Sequence, residues 1–186
     1  TTICLTSTHT GTGVNAVTIN GNVSASSGEG AAGALNNSTG TVAVNGNVSG
    51  GSATEAIGVS NNSTGTITIT GNVTGGGAEY AYGAWNGTGA ITINGNVTGG
   101  SVSYAYGAYN GAGTLTITGA VTGGSGSGAY GAVNGSTGTL TINGAVTGGS
   151  AANAHGAWNQ STGTLTINGN VSASSTARAF GVYNNS

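Results

Sequence analysis

Charge is almost missing from this chain. Only 2% of its 186 residues are charged, against about 25% in an ordinary soluble domain. There are three Glu and one Arg, with no Lys and no Asp, for a net charge of -2. So few charges steer no partner. They form no basic patch for nucleic acid and no basic amphipathic helix for a membrane surface. No apolar run approaches the roughly 20 residues of a membrane-spanning helix, so no membrane insertion is expected. Cysteine is represented by Cys4 alone, which makes no internal disulfide. Pro and Met are both absent. A chain without an initiator Met is expected to be a processed protein or an excised segment, with any signal peptide already removed.

Glycine is abundant, at 40 residues, and Thr, Ser and Asn supply the polar surface in place of charge. Disorder goes with low hydrophobicity and high charge. This chain has little charge and many β-branched residues. The composition suits a secreted or virion-surface protein, so an extracellular location is expected.

The stretch Gly138-Thr139-Leu140-Thr141-Ile142-Asn143-Gly144 recurs along the chain, as at Gly65–Gly71 and Gly163–Gly169. Its period-2 alternation predicts a half-buried strand with aliphatics inward and threonines outward. The flanking glycines are expected to let the chain bend sharply. Aligned on the bend glycine, the units start at Gly21, Gly46, Gly71, Gly95, Gly119, Gly144 and Gly169. A second glycine keeps step at Gly33, Gly58, Gly83, Gly107, Gly131, Gly156 and Gly181. Repeats of 24–25 residues with short strands and no helical pattern predict an all-β, parallel β-solenoid of seven coils over residues 12–186. At about 4.8 Å per rung, seven coils make a rod about 30–35 Å long.

Each coil reads by column. Inward pairs such as Leu115/Ile117 and Leu140/Ile142 are followed by one inward Val, for example Val121 or Val146. A Gly/Ser-rich loop comes next and is expected to absorb the one-residue differences in coil length. An Ala column (Ala31 to Ala179) then marks a tight inner corner. An Asn column (Asn36 to Asn184) can form an amide ladder or bond the turn backbone. Residues 1–11 stand apart. Thr2-Ile3-Cys4-Leu5-Thr6 alternates like the threonine strand but is too short for a coil. It is an N-terminal leader, an end cap, the tail of an upstream coil, or a strand that docks on the open end of another copy. Open end rungs are unpaired edges, and contact between unlike ends builds filaments, so self-association, head-to-tail or lateral, is expected.

No catalytic constellation emerges. Glu29, Glu55 and Glu79 fall near one corner of successive coils and could together hold a cation; a solvated trio is the plainer reading. His9 and His155 have no partner at ligand spacing, so no metal and no cofactor are expected. The Gly-rich loops lack the Lys and the helix of a phosphate loop and are turns. The Asn-x-Ser/Thr triplets, as at Asn72 and Asn96, are what this composition yields by chance.

Two surfaces stand out. The ten aromatics occupy three outward columns: Tyr80 and Tyr104; Tyr82, Tyr106, Tyr130 and Phe180, joined by His155; and Trp85, Tyr109, Trp158 and Tyr183. Such a stripe could stack on surface glycans or pack laterally against another rod, or simply stabilise successive rungs. The second is the threonine face. One outer column holds Thr41, Thr66, Thr114, Thr139 and Thr164. The next holds Thr18, Thr68, Thr92, Thr116, Thr141 and Thr166, and Ala16, Ala43 and Ala90 interrupt the face. Thr is also a good solvent-side strand residue in any such sheet.

The repeat Thr-Gly-Thr-Leu-Thr-Ile-Asn-Gly-x-Val-Thr-Gly-Gly resembles those of secreted bacterial β-helix proteins. Autotransporter-type passenger domains, adhesins and phage tail fibres carry similar runs. The resemblance implies a non-enzymatic, extracellular structural or adhesive role and transfers no catalytic residue. The Thr-x-Thr array resembles the ice-binding face of solenoid antifreeze proteins. That resemblance covers one strand per coil and implies an alternative role in ice binding.

Overall fold

The computed structural model describes residues 15–176 and 178–185, and the backbone of 5–7. Alternation and glycine spacing become a parallel β-solenoid of about seven coils, and no helix occurs among the described residues. Each coil crosses three walls. The threonine wall has seven strands, from Ala16–Ile19 to Thr164–Ile167. The valine wall has seven two-residue strands, from Val23–Ser24 to Val171–Ser172. The long wall has eight, from Leu5–Ser7 to Val182–Asn184. Every pairing is parallel and joins like columns. Ile91 lies between Ile67 and Leu115, and Val97 between Val73 and Val121.

The inward columns form one continuous core. In a middle coil Leu115, Ile117, Val121, Ala129 and Ala132 are all fully buried. Each aliphatic there contributes about 1.5–3 kcal/mol. The second glycine column has a steric cause. A Cβ on Gly107 would sit 2.5 Å from Gly131 O and 2.6 Å from Val121 Cγ1, so the long wall runs too close to its neighbours for any side chain.

The chain bends at each glycine of the bend column, from Gly21 to Gly169. Only Gly21 among them has a positive φ, 153°; close stacking is what the others are needed for, since a Cβ on Gly119 would meet Gly95 O at 2.5 Å. One expectation needs correction: the Gly/Ser loop does not absorb the length differences. That loop has the same length in every coil, and the shorter coils lose a residue at the Asn turn, between Asn86 and Ala90 and between Asn110 and Thr114. The Gly/Ser loop is held rung to rung by backbone bonds such as Glu55 N–H to Glu79 O and Tyr104 N–H to Ser127 O, so an extra residue would break register. The Asn turn tolerates either length because Asn Nδ2 clamps the glycine carbonyl that opens the next strand. It does so three residues on for Asn86 and Asn110, and four on for Asn61 and Asn134. Leu5–Ser7 joins the long wall, pairing Leu5 with Ala34 and Ser7 with Asn36. Residues 1–4 and 8–14, including Cys4 and His9, lie outside the described residues.

The Asn column does both things open to it. Asn86, Asn110, Asn134 and Asn159 each donate to a turn carbonyl and also to the Oδ1 of the Asn one coil on, at 2.9–3.2 Å. Asn110 and Asn134 are completely buried.

Candidate functional site

Parallel pairing places each long-wall side chain over its counterpart one rung away, and this builds the aromatic ridge. Tyr82, Tyr106, Tyr130 and His155 stack in sequence, with centroids 4.8, 5.2 and 5.0 Å apart. Phe180 continues the stack at 5.3 Å. Trp85 lies on Tyr109 at 4.4 Å and 10°. Tyr80 lies on Tyr104 at 5.3 Å and 8°. Neighbouring columns meet at right angles: Tyr82 and Trp85 are 4.9 Å apart at 81°. Offset stacks and edge-to-face pairs are the arrangements the ring quadrupole favours, at about 0.5–1.5 kcal/mol each.

This packing restricts what the ridge can bind. Where the columns are continuous, ring faces are turned to one another, and a sugar ring has no free face to stack on. The ridge presents ring edges and hydroxyls, with Tyr80, Tyr104, Phe180 and Tyr183 more than 40% exposed. Faces open only where a column starts or breaks. All three columns start together at Tyr80, Tyr82 and Trp85, one rung above Glu55, Ile57 and Ser60. The third column breaks at Val133. There Trp158 leans onto Tyr130, at 5.5 Å and 26°, and stands 52° from Tyr183. Trp158 Nε1 is buried and has no hydrogen-bond partner. Tyr130, His155, Trp158, Phe180 and Tyr183 line a cleft of about 360 Å³.

The corner beside the ridge holds a feature with no signal in periodicity. One column there takes left-handed backbone: Gly30, Glu55, Tyr80, Tyr104, Gly128, Asn153 and Arg178 have φ of 56–68°. Gly and Asn suit that conformation. For a bulky side chain it costs about 1–2 kcal/mol per residue. Tyr80 and Tyr104 accept that cost and stand outward, stacked on each other. Tyr104 also lies over Gly128, where a Cβ would meet its ring.

Burial pushes the Tyr82 hydroxyl well above its ordinary range, helped by Tyr106, Tyr109 and Glu55. Burial likewise raises Tyr106 and Tyr130. These three hydroxyls therefore stay protonated and neutral. Burial lowers the pKa of His155, whose Nδ1 accepts a hydrogen bond from Phe180 N–H at 3.1 Å. Glu29, Glu55 and Glu79 are exposed. Among the described residues no three His, Cys, Asp or Glu side chains converge on a metal-sized site.

The threonine wall brings its predicted residues into two in-register columns. Thr68, Thr92, Thr116, Thr141 and Thr166 follow without interruption. Beside them Thr66, Thr114, Thr139 and Thr164 are broken at Ala90. Sequence reasoning missed a third hydroxyl column. Thr74, Thr98, Thr122 and Thr147 pair along the valine wall and edge a groove of about 820 Å³ floored by the Gly/Ser loops. Its signal was a Thr or Ser after every inward Val of this wall, overlooked because a two-residue strand is too short to show alternation.

No family model, no curated protein and no solved structure matches this chain.

Proposed function

We propose that this chain is a non-enzymatic, extracellular structural or adhesive rod. It makes lateral contacts through the aromatic ridge and end-to-end contacts through its rungs. The observation that carries this reading is the outward pair Tyr80 and Tyr104, held in left-handed backbone. A rung needs no ring there, because Gly30 and Gly128 fill the same column. Rings exposed at a conformational cost point to a partner surface. The partner that suits covered ring faces is a flat one met edge-on, such as the ridge of a second copy. A surface glycan would be confined to the places where faces open. Sedimentation equilibrium tests the reading. The wild type should associate reversibly, and Tyr104→Ser combined with Phe180→Ser should weaken association about tenfold or more while the melting temperature holds. A wild type monomeric at millimolar concentration would sink it.

A second reading, ice binding, is favoured by the unbroken Thr68–Thr92–Thr116–Thr141–Thr166 ladder. Spacings of about 4.8 Å between rungs and 6.8 Å along a strand make it a two-dimensional hydroxyl and methyl lattice. Thermal hysteresis that disappears on replacing Thr116 and Thr141 with Tyr would favour this reading over the first.

A further inference from the structure

The aromatic ridge begins abruptly, and its first rung forms a ledge. Tyr82 stands over Ile57, and Trp85 over Ser60. The corner position is Glu55 below and Tyr80 above. The smaller side chains of the lower coil leave the free faces of Tyr80, Tyr82 and Trp85 open on one side. The resulting cleft has a volume of about 470 Å³, and Gly30 and Asn62 complete its lining with Glu55, Ile57 and Ser60. That is large enough for a small organic ligand.

Glu55 is the only charged residue in this lining, in a chain that has three carboxylates altogether. Its φ of 58° turns it out at the same corner column as Tyr80. It is near enough to help raise the pKa of the Tyr82 hydroxyl. The other two carboxylates, Glu29 and Glu79, stand on the coils on either side, and Glu79 O accepts from Glu55 N–H. The single basic side chain, Arg178, is five rungs away along the same column. The potential at the ledge is therefore negative and unopposed. A bare metal ion does not suit it, because ring faces and Ile57 offer no ligating oxygen and one carboxylate is too few. A strongly hydrated ammonium suits it less well: its three N–H groups each need an acceptor, Ser60 and Asn62 are already bonded to each other at 3.1 Å, and the faces of Tyr80, Tyr82 and Trp85 with Ile57 offer none. A cation whose charge is spread over methyl groups matches all of this. Its methyls lie against ring faces, which attract positive charge through their quadrupoles, and the carboxylate balances the charge.

We infer that the ledge formed by Tyr80, Tyr82, Trp85 and Glu55 is a binding site for an alkylated ammonium group. Such a group is carried by a free small molecule or by a lipid headgroup. The inference does not depend on rod association, since a monomer holds the whole ledge.

The test uses the full chain carrying Trp158→Phe, so that Trp85 is the only indole and reports on the ledge. Choline is titrated against Trp85 fluorescence, with 3,3-dimethylbutan-1-ol as its uncharged isostere. The expected result is saturable binding in the range of about 1–10 mM, weakened about fivefold or more by Glu55→Gln. Glu29→Gln, outside the lining, should leave it within about twofold. Ile57→Tyr extends the Tyr82 column by one rung and covers its face, and should abolish the response. A second arm measures co-sedimentation with phosphatidylcholine vesicles. Binding there that is lost in Glu55→Gln assigns the headgroup as the source, and a response to free choline alone assigns the small molecule. The inference is overturned by equal binding of the neutral isostere, by an unchanged Glu55→Gln variant, or by no saturable response to either source up to about 100 mM. A response to a neutral disaccharide in place of choline would likewise overturn it.

Discussion

Replacing Asn110 asks directly whether the amide ladder holds the coils in register. Asn110 is completely buried. Its Nδ2 donates to Gly113 O and to Asn134 Oδ1, both at 3.0 Å, and its Oδ1 accepts from Asn86 Nδ2 at 2.9 Å. Asn110→Ala removes three hydrogen bonds, each worth about 1 kcal/mol net, and strips Asn134 Oδ1 of its donor at a further cost of about 1–3 kcal/mol. A loss of about 4–6 kcal/mol is expected. Asn110→Asp keeps the shape but sets a carboxylate against two acceptor oxygens. At pH 7 it should be less stable than Asn110→Ala, since a buried and poorly paired charge costs more than a missing bond. The new carboxyl has a folded pKa raised above its unfolded value. Its penalty is therefore greatest at neutral pH and is relieved as pH falls toward the unfolded value near about 4. Urea midpoints by circular dichroism at pH 7 and pH 4 measure this. The order wild type, Ala, Asp at pH 7, with the Asp variant recovering at pH 4, is the expected outcome. An Asp variant as stable as the wild type at pH 7 would refute the ladder as a source of stability.

Gly107→Ala should cost about 1–3 kcal/mol or more, because its Cβ meets backbone oxygens of two walls. Gly77→Ala, with nothing nearer than 4.0 Å, should be neutral or stabilising by about 0.4–1 kcal/mol; thermal melts of the pair check both. Tyr104→Gly should leave stability within about 1 kcal/mol, since relief of left-handed strain offsets the lost stack on Tyr80. The same change should weaken association in sedimentation. His155 has a lowered folded pKa, so the unfolded chain takes up the proton first. Melting temperature should therefore fall as pH drops below about 6.5, and His155→Phe should flatten that slope. Tyr82, Tyr106 and Tyr130 have raised folded pKa values. Their contribution is complete below the unfolded value of about 10 and is lost as pH climbs above it, which a melt series from pH 9 to about 11 will follow.

The architecture was legible because a solenoid writes one cross-section seven times. A single Thr-Leu-Thr-Ile strand is ambiguous, but seven copies in step with two glycine columns admit few other folds. The aromatic columns were legible for the same reason, since parallel register turns a period into a stack. What escaped was anything set by backbone torsion or by the angle between rings. Left-handed φ at Tyr80 and Tyr104 has no sequence signature, because Tyr is an improbable residue there. The near-parallel stacking of Tyr106 on Tyr82, at 4.8 Å and 11°, which covers ring faces against a glycan along the column, depends on side-chain tilt. The turn that absorbs the length differences was misplaced because Gly/Ser-rich segments read as pliable. Here the pliable turn is the one that Asn clamps with a side chain, and the Gly/Ser loop is the one fixed by rung-to-rung backbone bonds.

The proposed function is contact between rods through the aromatic ridge and between their rungs. Negative-stain electron microscopy of the purified chain at high concentration tests it most directly. The account predicts rods joined end to end or aligned in bundles, with the bundles lost when Tyr104 and Phe180 are both changed to Ser. A uniform field of single short rods at every concentration, unchanged by those substitutions, would contradict it.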